Sequence, residues 1–500
     1  MTKLSRRHLV AGGLAGAGAS VMPAFVDDAN AAVMTRYNLT SANGQVMLKK
    51  YAAAVRAMMA LPPTNPLSWT FQWYTHGVPT NTTKAAALNA IFGPGSSPNK
   101  TLATAMWNTC QGHFGQEMYF CPWHRMYVCF FESIIRKVLN DNTFTLPYWN
   151  YSVATGYPLP KEFRMQNDPV WGPLYRPNRR SVVNAGQPIF TGMGSAMDLS
   201  PTPALSQANY LPSGVVGGFN RTLDQGLHGN VHVFVGNGQG MGSVPWAAND
   251  PIFYMHHCNI DRIWTSWNNS GHGNPNMAVW LNKTFVFAGQ NGQQVTALVK
   301  DYTNTVKCNY RYDQIIAAPM LVAAAPAVTA AVATAAAAPT TIAQSGPVEL
   351  GAAPVRVNVQ GSAAAPAAAP ASGTAAGPLA ASLSALPENR RLYLVLNNVK
   401  ANAPPEAVYR VYLDLPDGPP SDPLNSHYVG TFNLFDAVPH GDDHAGHGEG
   451  KPITFDVTNI AANLTSLGLL RAQHSVTIAP SNEPAANTKP VVGSITFVQQ

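Results

Sequence analysis

Apolar positions divide the chain into a helical part, a middle stretch without periodicity and a stranded end. Between residues 37 and 312, three segments repeat apolar side chains at three- and four-residue steps, the spacing that lines one face of an α-helix. The first runs through Met47, Tyr51, Val55, Met58 and Met59. The second follows Pro122 and carries His124, Val128, Phe131, Ile135 and Val138 along one side. The third runs from Asp250-Pro251 through Ile260, Ile263, Trp264 and Trp267. Pro251 suits a first helical turn, where its missing donor costs nothing. The Pro-, Gly- and Asn-rich stretch from Tyr157 to Pro212 predicts loops draped over a helical core.

From Ala317 to Pro378 the chain is mostly Ala, Pro, Thr, Val and Gly. The prolines prevent a long helix and little is available to bury, so a linker is expected over 316–385, with short Ala-rich helical turns between prolines as the alternative. From Arg390 onward, short β-type runs appear: Leu392–Leu396, Tyr409–Leu413, Tyr428–Phe432, Ile453–Val457, Ser475–Ile478 and Ser494–Phe497. Turn-like clusters separate them, which predicts a small antiparallel sandwich or barrel over 386–500.

Composition refines this division. At 500 residues the chain has room for two folded units. Charged residues make up 11%, against roughly 25% in soluble domains, and the Ala/Pro stretch accounts for much of the deficit. The net charge is +6 with no concentrated basic stripe, so no nucleic-acid partner is expected. Five cysteines, Cys110, Cys121, Cys129, Cys258 and Cys308, are too few and scattered for a disulfide framework. Cys121, Cys129 and Cys258 sit among large apolar residues and read as small buried hydrophobes.

The N-terminus reads Ser5-Arg6-Arg7-His8-Leu9-Val10, then a weakly apolar run to Val26, then Ala29-Asn30-Ala31. That order matches a twin-arginine signal peptide over 1–31, against the alternative of a tail with a chance Arg pair. It predicts a periplasmic or secreted protein. The run is too short and glycine-rich to span a membrane, and no membrane anchor is expected.

Histidines carry the candidate chemistry. His228 and His232 stand four apart in Leu227-His228-Gly229-Asn230-Val231-His232, a spacing that projects both from one helix face. Alone, such a pair is more often a chance pair on a solvated face. Downstream, His256 and His257 lie adjacent in an aromatic-rich helix, where burial without partners is costly. Upstream, His76 closes Trp69-Thr70-Phe71-Gln72-Trp73-Tyr74-Thr75, His113 follows Cys110-Gln111-Gly112, and His124 lies in Phe120-Cys121-Pro122-Trp123-His124. Each of these taken singly also fits a satisfied core histidine; together the histidines form two ordered groups. A zinc protease would carry H-E-x-x-H, and Gly, Asn and Val stand between His228 and His232. The P-C-x-x-C of zinc deaminases and the Glu-x-x-His pairs of carboxylate di-iron sites are not found. Histidine triads without carboxylates suit copper.

At these residues the chain resembles the type-3 copper family of tyrosinases, catechol oxidases and molluscan haemocyanins. The resemblance rests on Phe120 to Tyr127 with Phe131-Glu132, on Thr145 to Tyr151, on Leu227 to His232, and on Asp250-Pro251 through Asp261-Arg262-Ile263-Trp264. It implies a mainly α catalytic domain over 35–315, an antiparallel four-helix bundle with long loops. One copper ion would be held by His76, His113 and His124 and a second by His228, His232 and His257, with His256 a packed neighbour. O2 would be the oxidant and phenols or o-diphenols the substrates, yielding o-quinones. An o-aminophenol oxidase and a reversible O2 carrier are the alternatives.

Three departures from the family pattern are informative. Ten residues separate His113 from His124, a longer gap than usual. Cys110 stands three residues before His113, where many relatives have Cys-x-His with a thioether to a ligand histidine; a thioether and a plain buried thiol are both open. Gly229 follows His228 where tyrosinases often have Asn, which favours o-diphenol oxidation over monophenol hydroxylation. Asp224 is then the nearest carboxylate able to hold a water, with a helix-surface Asp as the alternative. The C-terminal strands are similar to the shielding domain of latent phenol oxidases, and imply a side chain plugging the site until a protease acts in the linker; a sandwich without regulatory role is the alternative. His440, His444 and His447 belong either to a copper-gathering loop or to a solvated one.

Overall fold

A computed structural model describes residues 33–112, 117–317, 338–362, 377–418, 425–438 and 450–500. The twin-arginine segment, His113 and the His440–His447 loop lie outside these residues.

The helical part is built from α1 (Ala42–Ala60), α2 (Trp69–His76), α3 (Lys84–Phe92), α4 (Pro98–Met106), α5 (Phe120–Leu139), α6 (Gly218–Leu223), α7 (Gly229–Val235) and α8 (Ile252–Asn269), together with shorter helical turns. The predicted apolar stripes form α1, α5 and α8. The α1 helix starts at Ser41, whose hydroxyl accepts the Gly44 N–H. Pro251 sits at the N-cap of α8, one position before its first turn. The α5 and α8 helices are buried on nearly every side, so their polar residues must find partners inside. They pack on each other and α5 on α1. Two small sheets flank the bundle. β1 (Met34–Arg36) pairs in parallel with β4 (Tyr310–Tyr312), and β2 (Thr284–Ala288) forms a hairpin with β3 (Gln294–Leu298).

One buried ion network ties these pieces together. Arg36 of β1 donates to Glu132 of α5 at 3.0 Å and to Asp261 of α8 at 3.4 Å. Arg125 reaches Asp261 at 2.5 Å and lies over the Trp264 ring at 3.7 Å. Tyr310 and Tyr312 of β4 donate to the same carboxylate. Burial works to raise the Asp261 carboxyl, but Arg125 and Arg36 outweigh it and hold its pKa below the ordinary value. The Asp261-Arg262-Ile263-Trp264 run is therefore the knot that joins both chain ends of the bundle.

The second part is a two-sheet sandwich. One sheet runs β11 (Tyr428–Phe432), β10 (Tyr409–Leu413), β13 (Ser475–Pro480), β7 (Val355–Asn358). The other runs β12 (Lys451–Asp456), β9 (Leu392–Lys400), β14 (Val491–Gln499), β5 (Thr340–Gln344), β8 (Gln360–Gly361), with β6 (Val348–Glu349) also on β14. Its neighbouring strands are antiparallel throughout, and α9 (Pro378–Ser384) and α10 (Thr458–Ser466) accompany the sheets. The expected 316–385 linker is corrected here: residues 340–361 supply four strands, and 378–384 a helix. The reason is non-local. Short alternating runs such as Val355-Arg356-Val357-Asn358 gain their ladder from β13, more than a hundred residues away in sequence. Residues 318–337 and 363–376 lie outside the described part.

The two hydrophobic cores are largely separate, with one exception that matters for function. Val408 and Phe435, from the sandwich, are buried in the core of the helical part.

Candidate metal centre

Six described histidines converge between α2, α5, α7 and α8. His76 closes α2, His124 lies in the first turns of α5, His228 and His232 bracket the start of α7, and His256 and His257 lie in α8. All are buried. Donor atoms of His228, His232, His256 and His257 lie within 4.8 Å of one another, and those of His76, Cys110 and His124 do likewise. The two groups meet, because the His124 and His257 rings stack at 4.3 Å.

Five of the six rings are oriented by a protein oxygen on Nδ1. His76 meets the Val244 carbonyl at 2.8 Å, His124 that of Phe120 at 2.9 Å, and His232 that of Met241 at 2.8 Å. His256 meets the Tyr151 hydroxyl at 2.9 Å. His228 meets both the Asp224 carbonyl at 3.2 Å and the Asp224 carboxylate at 3.0 Å. The carbonyl and carboxylate oxygens only accept, so they make Nδ1 the protonated nitrogen of His76, His124, His228 and His232 and leave the Nε2 lone pair for a metal, whereas the Tyr151 hydroxyl can donate to or accept from His256. The buried Nε2 atoms of His228, His232 and His256, and both ring nitrogens of His257, have no hydrogen-bond partner.

The local backbone is shaped for this. Residues Asp224–His228 form a π-turn between α6 and α7, with Gly226 at φ −92°, ψ −108°. Such widened turns often sit at functional sites. Gly236, just after α7, lies so close to the returning chain that a Cβ would fall 2.3 Å from the Met241 nitrogen. That approach brings the Met241 carbonyl to His232.

Burial, and then the neighbouring imidazoles, push the pKa values of His124, His232, His256 and His257 well below the ordinary histidine value. Burial likewise lowers His228 to about 3. All of these rings are neutral at pH 7, the form that binds a metal. A lining of neutral imidazoles with the Cys110 thiol beside His124, and with unpartnered Nε2 atoms on His228, His232, His256 and His257, fits copper.

The remaining sequence candidates fall around this centre. Cys110 is a buried thiol with its Sγ 3.6 Å from His124 Nε2. Asp224 is buried beside His228 and is not a helix-surface residue. Gly229 lies against the sandwich: a Cβ there would stand 2.5 Å from Asn433 Oδ1. Sequence reasoning missed Tyr151 and Asn433 as site neighbours and the particular plug. Phe435 stacks on His232 with centroids 4.1 Å apart and planes at 12°, and meets His228 edge-on at 5.7 Å. Its only sequence signal was membership of a shielding-type domain.

Fold and site together define a centre of buried histidines able to hold metal in a helical bundle, capped by a β-sandwich. Residues 66–270 match the family model of the common central domain of tyrosinase, and residues 338–500 match a domain of unknown function. Among curated relatives, tyrosinase HcTyr1 of Hahella sp. (strain CCB-MM4) is 32% identical over 297 residues, 53% of this chain and 60% of the relative. The latent polyphenol oxidase of Prunus armeniaca is 27% identical over 296 residues, 54% of this chain and 46% of the relative. The alignment thus spans less than two thirds of either relative. Among solved structures, latent aurone synthase, a polyphenol oxidase, superposes with TM-score 0.62 at 20% identity over 96% of this chain and 91% of that one. Latent apple tyrosinase gives 0.59 at 22% identity over 93% and 97%. These likenesses extend the shared fold across both parts of the molecule. Residues 66–270 thus carry the central domain of the tyrosinase and polyphenol oxidase family.

Proposed function

We propose that this chain is a copper-dependent phenol oxidase that uses O2 to convert phenols and o-diphenols to o-quinones. The observation that carries the proposal is the set of buried, neutral imidazoles whose Nε2 atoms lack protein partners. His76, His124 and His113 are assigned to one copper, and His228, His232 and His257 to the other. His257 is preferred over His256 because the resemblance to type-3 copper proteins points to the second of the adjacent pair; the His256 ring is held by Tyr151. A copper pair supplies two-electron redox capacity and Lewis acidity.

The chain's own residues supply the rest. Carbonyls of Val244, Phe120 and Met241 set the ring tautomers. Asp224 orients His228 and is the carboxylate best placed to hold a water beside it. The face of His232, now under Phe435, offers an aromatic substrate a ring to stack on. Gly229 leaves the position beside His228 without a polar side chain, which favours o-diphenols; o-aminophenols are the second substrate class to test. Cys110 is a candidate for a thioether to a ligand histidine, which mass spectrometry reads as the loss of two hydrogens. Phe435 supports a latent state, relieved when a protease acts between the two parts, and the N-terminal segment supports twin-arginine export to the periplasm or medium.

The deciding experiment is metal analysis combined with turnover. Copper-loaded protein should hold two coppers per chain, and His232→Ala and His257→Ala should each retain about one and lose o-diphenol oxidation by at least ~10³-fold. His256→Ala should retain both coppers. Two coppers retained in His232→Ala would overturn the assignment, and O2 binding without turnover after trimming would favour a carrier.

A further inference from the structure

The sandwich does more at the site than insert a ring. Two residues before Phe435, Asn433 is fully buried against the π-turn and the start of α7. Its Nδ2 donates to the Gln225 carbonyl at 2.9 Å and to Asn230 Oδ1 at 2.9 Å. Its own Oδ1 turns back to accept the Phe435 N–H at 3.1 Å. Asn230 cannot readily present its other face, because its Nδ2 is engaged by the Asp198 carbonyl at 3.2 Å. Gln225 belongs to the widened turn, which directs its carbonyl toward Asn433. The absence of a side chain at Gly229 opens the space that Asn433 fills.

The helical part therefore presents a socket of two fixed acceptors, one turn from His228 and next to the ring-stacking face of His232. In the capped molecule that socket is filled by an N–H donor tethered to an aromatic ring. An occupant that covers this acceptor pair without donating to it is penalised, so whatever replaces Asn433 is selected for hydrogen-bond donors, of which a cationic amine is the strongest. We propose that Gln225 O and Asn230 Oδ1 form a specificity subsite that favours aromatic substrates whose side arm ends in an amine, and that Asn433-Leu434-Phe435 occupies it as an internal mimic. This deepens the phenol-oxidase reading and rests on it.

The test uses the full chain with Asn433→Ala and Phe435→Ala, which vacates the socket and the stacking face. Binding of 2-phenylethylammonium and 3-phenylpropionate, neither of them a phenol, is measured by calorimetry on metal-free protein, where the carboxylate has no copper to bind. The amine should bind about tenfold tighter, the contribution of a charge-assisted hydrogen bond. Adding Asn230→Leu should bring the ratio to within about threefold. Equal affinities, no binding of either probe, or a preference indifferent to Asn230→Leu would each sink the proposal. Should the double variant not fold, Asn433→Asp alone serves, being nearly isosteric but without the donors. Amide hydrogen exchange at 428–435 should then speed up about tenfold or more, because a carboxylate faces two acceptors. Native-like protection would count against the socket. An amine preference in a chain that fails to oxidise phenols overturns only the oxidase proposal, whereas oxidation without the preference overturns only the subsite.

Discussion

Asp261 shows how a single residue can carry a fold. Its carboxylate is buried and faces Arg36, Arg125, Tyr310 and Tyr312 at once. Deleting it leaves two buried guanidinium groups short of their counter-charge, so Asp261→Ala should cost about 3–5 kcal/mol. Urea denaturation of the metal-free protein measures this. The pH sign follows from the depressed pKa. On acidification the unfolded chain takes up the proton first, so Asp261 stabilises fully above the ordinary carboxylate range and loses its effect as pH falls below about 4. The stability gap between the native chain and Asp261→Asn should therefore narrow below that pH; a gap constant down to pH 3 would contradict the assignment. The Asp261-Arg262 motif was visible in the sequence as a family signature, but its partners in β1 and β4 were not, because they come from the two ends of the chain segment that forms the helical part.

At the scale of elements, the long helices and the strands from Leu392 onward were legible, and the short strands within 340–361 were not. α1, α5 and α8 have enough turns for the apolar repeat to stand out. Their ends obey local rules, so Ser41→Ala should lower thermal stability by about 1 kcal/mol, the usual value of an N-cap, with activity intact. Calorimetry and a standard diphenol assay check both halves of that expectation. By contrast β5 to β8 hide in an Ala/Pro-rich stretch. Each is at most five residues long and is held by a partner strand: β13 for β7, β14 for β5 and β6, and β5 for β8. The π-turn is a further local feature without a sequence signature. Its widened geometry matters because it turns the Gln225 carbonyl toward Asn433 while Asp224 and His228 stay paired.

The whole molecule is organised around a cap. Phe435 and Val408 leave the sandwich to join the helical core, and Arg410, Glu406 and Gln500 add hydrogen bonds to Met193, Gly238 and the 213–215 loop. Removing the ring that covers His232 should raise the activity of the uncut chain: Phe435→Ala is expected to oxidise an o-diphenol at least ~10-fold faster than the native full-length protein. It should also lose most of the further gain that limited proteolysis brings. Equal activity of the two full-length forms would mean that the cap does not limit access. Gly229→Ala provides an independent check from the other side of the interface. Its Cβ would collide with Asn433, so the cap should loosen and the latent state weaken, read as faster hydrogen exchange in β11.

The sequence by itself determined the helical bundle, the stranded C-terminal domain and the types of residue at the centre. These depend on periodicity and on imidazole chemistry, both of which are local. Tertiary structure decided which atoms face the centre: the carbonyls and hydroxyl that orient each ring, the proximity of His124 to His257, the place of Asp224 beside His228, and the seating of Asn433 and Phe435. Those relations join residues as much as two hundred positions apart, and pairings at that range are set by packing, which no local window of sequence contains. The assignment of His76, His113, His124, His228, His232 and His257 to copper is a proposal. The linker expectation gave way because its strands are made by their partners.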